Sequence, residues 1–92
     1  DIRADYCLVS ASGISDLLCY HPYEDCAQVK RAMMASADKS ILLLDHTKLD
    51  RRALHTFASM TDFDQVIMDS QTPDEAIEEL RGKGVRVVRA AG

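Results

Sequence analysis

The sequence predicts an α/β domain with a mostly parallel sheet and flanking helices. Three observations carry that reading. Four short apolar segments, residues 6–10, 40–44, 65–68 and 85–88, have the length of strands. Stretches with helical periodicity separate them. One strand contains Ile41-Leu42-Leu43-Leu44, with no alternation of polar and apolar residues. A strand of that kind is expected to be buried on both faces, as in a parallel sheet covered by helices.

In chain order, the first strand runs into the loop Ser10-Ala11-Ser12-Gly13-Ile14. A helix over residues 23–37 follows, with Pro22 suited to its first turn and Cys26, Val29, Met33 and Ala37 forming one apolar stripe. The second strand ends in Asp45-His46-Thr47-Lys48. A shorter helix is expected over residues 51–59, carrying Ala53, Leu54, Phe57 and Ala58. Asp62 and Asp64 flank Phe63 ahead of the third strand and read as turn and cap residues. The third strand ends in Asp69-Ser70-Gln71-Thr72. The last helix spans residues 73–83, with Thr72 as N-cap, Pro73 as its first residue and Glu75 closing a capping box. Ile77 and Leu80 face the core, and Gly84 ends the helix in the left-handed conformation. Met33, Met34, Met60 and Met68 read as core filling. The alternation of strand and helix argues for a doubly wound sheet with right-handed crossovers.

Composition narrows the function. Ninety-two residues suffice for one small domain, and 47% hydrophobic content fits a packed core. A net charge of -4 disfavours direct contact with nucleic acid, which rewards basic surfaces, and equally an anionic membrane. The run Ile41-Leu42-Leu43-Leu44 is far too short to span a bilayer, and the opening residues from Asp1 to Asp5 are no signal peptide. Three widely spaced cysteines, Cys7, Cys19 and Cys26, fit reduced thiols in a cytoplasmic protein. The first strand begins almost at Asp1, so the chain is expected to be a piece of something longer.

In open parallel sheets, ligands sit beyond the carboxyl ends of the strands. That rule selects three polar ends, Ser10-Ala11-Ser12-Gly13, Asp45-His46-Thr47-Lys48 and Asp69-Ser70-Gln71-Thr72, and the first two carry the candidate ligand contacts. Gly13 lets a ligand approach the backbone, although a tight turn explains it equally well. Asp45 can accept hydrogen bonds from ligand hydroxyls, Thr47 can add a hydroxyl contact, and Lys48 can meet a phosphate as a mobile charge. The rival reading is a solvated charge pair in a loop leading to a helix. His46 lies in the same loop. Lys30 and Arg31 sit mid-helix, where solvation is the usual role. Arg51 and Arg52 are read as solvent-exposed. The histidines His21, His46 and His55 lack the spacing of a helical metal site, and no nucleophile elbow or phosphate loop is present. No metal, cofactor or catalytic residue is expected.

Three ordered segments carry a family resemblance. Leu8-Val9-Ser10-Ala11-Ser12-Gly13-Ile14 resembles a strand leading to a Gly-Ile loop in DeoR-family repressors. Val29-Lys30-Arg31-Ala32-Met33-Met34 is similar to that family's Val-Lys-Arg-Ala-Met helix. Ile41 to Leu44, then Asp45-His46-Thr47-Lys48-Leu49 and Arg52-Ala53, resembles its apolar strand and Asp-Ser-Ser-Lys-Phe segment. Ile67-Met68-Asp69 resembles its Ile-Thr-Asp. Ser12 stands where the family often has Asp, and Asp50 where Gly is common. The Ser-Gly-Ile loop with an Asp-His pair is similar to the glycerol-phosphate repressor branch.

The resemblance implies a sensor domain with the Rossmann-like fold of ribose-phosphate isomerase, glucosamine-phosphate deaminase and CoA transferases. Residues 1–92 would be its C-terminal portion, lacking the first half of the sensor and the N-terminal winged helix-turn-helix. It implies a phosphorylated sugar or related effector, DNA contact only through the missing module, and a homo-oligomer. Ser12, Gly13, Lys30, Asp45, His46 and Lys48 would line the ligand site. Two rivals stand beside this regulatory reading. One is a sugar-phosphate isomerase-like enzyme, and the other is an oligomerisation module with a vestigial pocket.

Overall fold

The computed structural model describes residues 4–91, so Asp1, Ile2 and Arg3 of the opening segment lie outside the described residues. The first strand, β1 (Ala4–Ser10), is followed by a hairpin of β2 (Gly13–Ser15) and β3 (Leu18–His21). Next come α1 (Glu24–Ala35), β4 (Ala37–Leu44), a 3-10 turn (His46–Lys48) and β5 (His55–Ser59). A second 3-10 turn (Met60–Asp62), β6 (Gln65–Met68), α2 (Asp74–Gly82) and β7 (Val87–Arg89) complete the chain.

The main sheet has the order β1-β4-β6-β7, and every pairing in it is parallel. All four strands expected from the sequence are therefore present, in one sheet. The order steps in a single direction along the chain, so the doubly wound sheet expected from the sequence is corrected: the described residues wind one way only. Right-handed crossovers that all step one way place their connections on one face of the sheet. Burial agrees: Cys7 and Val9 of β1, Leu42 and Leu44 of β4, Val66 and Met68 of β6 and Val87 of β7 point into the core. Phe57, Met60, Phe63, Ile77 and Leu80 pack with them from the connecting segments.

The opposite face is bare in this chain. Tyr6 is 62% exposed, Leu8 59% and Leu43 39%. Ile41 and Ile67 on that face are half-buried. The expectation that Ile41 to Leu44 is buried on both sides is thus corrected: Leu42 and Leu44 are covered, and Leu43 is not.

A second sheet, β2-β3-β5, is antiparallel, and the sequence reading missed it. The hairpin turn is Asp16-Leu17, both with positive φ, 51° and 66°. Two-residue hairpin turns of that shape ordinarily announce themselves through Asn-Gly or Asp-Gly. Here Leu17 tolerates the conformation while packing against the core, so the usual signal is absent. The helix expected over residues 51–59 is also corrected. Residues His55–Ser59 are extended and pair with β3. Thr56 and Phe57 suit a strand, and the free edge of β3 supplies the partner. Before it, Asp50 at φ 57° turns the chain and the Arg51 N–H donates to the Ile14 carbonyl at 3.1 Å.

Two helix expectations need adjustment. The helix α1 buries Ala27, whereas Val29 is 58% and Met33 43% exposed, so the Cys26-Val29-Met33 stripe faces outward. In α2, Ile77 and Leu80 are buried as expected and Gly84 takes φ 89°. Its N-cap, however, is Pro73, with no side-chain cap, and the Thr72 hydroxyl donates instead to Asp69 at 2.7 Å. An N-cap hydroxyl accepts from a helix N–H, whereas Thr72 is buried and its O–H donates to a carboxylate, a strong charged acceptor. Asp62 does act as a cap, accepting the Ser59 N–H at 2.9 Å, and Asp64 accepts the Ser40 N–H at 2.8 Å.

Two glycines test this packing in opposite directions. A Cβ on Gly13 would lie 2.5 Å from the Arg51 carbonyl oxygen, a backbone atom that cannot swing away. Gly82, in the last turn of α2, has nothing within 4 Å of its would-be Cβ. Denaturant unfolding of Gly13→Ala is expected to show a loss of about 1–3 kcal/mol, the usual penalty of overpacking. Gly82→Ala is expected to gain up to about 1 kcal/mol from reduced unfolded-state freedom.

Candidate ligand site at the carboxyl tips of the parallel strands

The parallel sheet delivers the loops after β1, β4 and β6 to one end of the molecule. Strand pairing puts Ser10 beside Leu43, and Leu44 beside Met68. The loop after β4 is stitched to β2 by a parallel bridge between Ile14 and Leu49. Gly13 and Lys48 therefore lie on the same side of the fold. Gly13 itself is buried against Arg51, which gives it a close-packing role at the foot of the loop. Ser12 is exposed, and its N–H donates to the Tyr20 carbonyl at 2.9 Å.

Lys30 reaches out of α1 to the tip of β1. Its Nζ donates to the Ser10 carbonyl and stands 5.2 Å from the centre of the Phe57 ring. Partial burial lowers the pKa of this ammonium from its ordinary value. The helix thus supplies one cation to the tips through the Lys30 stem. The neighbouring Arg31 turns away to Glu24 at 3.2 Å and to the Thr56 carbonyl at 2.9 Å.

Asp45 shapes the loop after β4. It caps the 3-10 turn by accepting the Thr47 N–H at 2.8 Å, and the Thr47 hydroxyl donates to the same oxygen. These bonds, the hydroxyl's first, hold its carboxyl below the usual range. Lys48 Nζ lies 3.4 Å from the other Asp45 oxygen. The pair is largely solvated, so exchanging Asp45 for another anion costs Lys48 little.

Asp69, at the tip of β6, stands at a strand end that sequence reasoning marked without giving this residue a role. Its Oδ2 lies 2.7 Å from His46 Nδ1. Its Oδ1 accepts the His46 backbone N–H at 3.1 Å and the Thr72 hydroxyl at 2.7 Å. The His46 ring bond first, with Thr72 and the His46 N–H adding to it, brings the Asp69 carboxyl down to about 2. Thr72 is tied in turn, because its carbonyl accepts from Arg89 at 2.9 Å, and Arg89 also pairs with Asp74. The signal was there to be used: Met68-Asp69 repeats the Leu44-Asp45 pattern of an apolar strand ending in an acid.

Between these tips lies an open hollow of about 330 Å³, lined by Leu43, Leu44, Asp45, Ile67, Asp69 and others on the bare side of the sheet. Of the residues expected at the site, Asp45, His46 and Lys48 share one loop and Lys30 meets the tip of β1. Ser12 and Gly13 begin the hairpin beside that loop. Cys19, in β3 of the hairpin, is a buried thiol pushed up to about 12 by burial and stays protonated.

The Asp69 bonds make a pH-dependent contribution to stability. Its carboxyl titrates at about 2 when folded against 3.8 ordinarily, so in that window the unfolded chain binds more protons. The stability advantage of the native protein over Asp69→Asn should be complete above this window. It should shrink as the pH falls from 3.8 toward 2. Urea unfolding at several pH values measures it, and a constant difference would contradict the assignment.

Comparison with known proteins agrees with this architecture. The family described as DeoR C terminal sensor domain matches residues 1–70. The chain is 39% identical over 67 residues to the HTH-type transcriptional regulator GlpR of Haloferax volcanii, covering 73% of this chain and 26% of that protein. It is 34% identical over 65 residues to a putative aga operon transcriptional repressor of Escherichia coli O157:H7, 71% of this chain and 24% of that protein. It is 32% identical over 78 residues to the HTH-type transcriptional repressor GlcR of Bacillus subtilis, 85% of this chain and 30% of that protein. The chain thus spans less than a third of the length of these relatives. On the match to residues 1–70, this chain belongs to the DeoR C-terminal sensor domain family.

Proposed function

We propose that this chain is the C-terminal portion of the effector-sensing domain of a transcription repressor. In this reading a phosphorylated sugar or related metabolite binds at the strand tips. DNA is contacted by a separate helix-turn-helix. The observation that carries it is the lacing of the β1 and β4 loops into one polar end, through the Ile14–Leu49 bridge and the Arg51 to Ile14 bond. Asp45 supplies an acceptor for ligand hydroxyls and Lys48 a cation for the phosphate, with Lys30 a second cation at β1. Three relatives are named as transcriptional regulators or repressors, which supports the regulatory role.

Physical chemistry favours binding over turnover. A general base works best with a pKa near the working pH. The carboxyls of Asp45 and Asp69 are both held below their ordinary values by the hydrogen bonds they accept. They are suited to accept hydrogen bonds and poorly suited to take a proton from carbon. This argues against the isomerase-like alternative.

The bare sheet face supports the reading as a portion of a larger domain. Tyr6, Leu8, Leu43 and Val88 form an apolar surface on a parallel sheet, a type otherwise covered on both faces. The preceding half of the sensor, winding outward from β1 in the other direction, would place its helices there.

Two measurements test these statements. Calorimetry of the repressor against a panel of sugar phosphates should reveal binding that alters operator affinity. Lys48→Ala should weaken it about tenfold or more, the scale of one hydrogen bond to a charged group. If no member of the panel binds or changes operator affinity, the sensor reading fails. Separately, the 92-residue chain should bind an apolar fluorescent dye, whereas a version carrying the upstream half should not.

A further inference from the structure

We propose that anion binding at the strand tips is coupled to the uptake of one proton by His46, with Asp69 as the residue that positions it. This rests on the reading of that end as an anion site and adds the charge chemistry by which it works. The geometry begins with two contacts from one carboxylate. Asp69 Oδ1 accepts the His46 backbone N–H at 3.1 Å, and Oδ2 stands 2.7 Å from Nδ1 of the ring. The main chain and the ring of His46 are therefore held together.

An ionised carboxylate only accepts hydrogen bonds, so the hydrogen between them belongs to Nδ1. In the neutral ring this leaves Nε2 with a lone pair and no hydrogen. Among the described residues Nε2 makes no hydrogen bond, and the side chain is 37% exposed. An anion oxygen repels that lone pair. It is attracted once Nε2 has taken a proton from solvent, because the ring then donates to Asp69 through Nδ1–H and to the anion through Nε2–H. No bond other than N–H forms, and the proton comes from water or buffer.

Charged groups stand on each element near His46. Asp45 and Lys48 lie on the same loop as His46, 3.4 Å apart, and Asp69 faces it from the tip of β6. Beyond Thr72, Arg89 of β7 and Asp74 of α2 are paired with each other. Asp45 and Asp69 line the hollow, and the ammoniums at this end are Lys48, beside Asp45, and Lys30, at the Ser10 carbonyl.

The test uses sulfate and inorganic phosphate as probes, because sulfate has no titration near neutral pH. Proton NMR follows the His46 ring through a pH titration with and without sulfate. The expected result is a rise of about one pH unit in the His46 midpoint when sulfate is bound. By linkage, a one-unit rise makes apparent sulfate affinity fall by about tenfold in total as the pH climbs from below the free midpoint to above the sulfate-bound one. In His46→Gln the affinity should lose this pH dependence, while the amide spectrum reports an intact fold. In Asp69→Asn the sulfate-induced rise should shrink. If Lys48 responds to sulfate while the His46 midpoint stays put, the proton coupling is overturned and the anion site stands. If neither residue responds to sulfate or phosphate, the site and the coupling fall together.

Discussion

The structure depends on β4 being held between β1 and β6, with all three strands pointing the same way. That arrangement buries Leu42 and Leu44 fully or nearly so and aligns the strand ends in register. A consistently one-directional winding then fixes two further properties. Every connecting segment falls on one face of the sheet, and every carboxyl tip falls at one end. The bare face with Tyr6 and Leu8 and the polar end with Asp45 and Asp69 are two consequences of one topology. Removing the parallel pairing of β4 would dissolve both.

The strands of the main sheet were legible because burial writes itself into an apolar run of fixed length. Helix α2 was legible for a similar reason, since Ile77 and Leu80 and the terminal Gly84 agree with one another. What was illegible depended on partners distant in the chain. In residues 55–59 only Thr56 and Phe57 favour a strand, and the edge of β3 decides that the whole segment extends. The hairpin before them turns on Asp16-Leu17, a pair whose left-handed geometry is held by Leu17 packing inward rather than by an intrinsic preference. The stripe on α1 was misread because the periodicity of Cys26, Val29 and Met33 is real while its orientation is not encoded in the spacing. Ala27, the smallest residue available, is the one that lets the helix lie close to the sheets.

The candidate site divides along the same line. Asp45, His46 and Lys48 were legible because a loop after a buried strand has a predictable place. Lys30 gained meaning only from the fold, which carries it from the helix to the Ser10 carbonyl. Gly13 carried two readings, a ligand's close approach and a tight turn, and the fold adds a packing demand, because the Arg51 backbone occupies the room a side chain would need. Asp69 was passed over since its significance lies in a contact across the sheet rather than in its neighbours along the chain.

That contact also governs how the site must be dissected. Three donors, the His46 N–H, the His46 ring and the Thr72 hydroxyl, converge on the two oxygens of Asp69. Groups that share one acceptor do not contribute independently, and the loss on removing the acceptor differs from the sum of losses on removing each donor. Substituting Asp69 frees the β4 loop and the turn before α2 together, whereas substituting Thr72 leaves His46 held. The comparison of those two changes separates the part of the network that builds the end of the domain from the part that orients His46. Arg89 reaches the Thr72 main-chain carbonyl from β7, a bond that neither substitution removes, so the last strand keeps its hold on that turn in both variants.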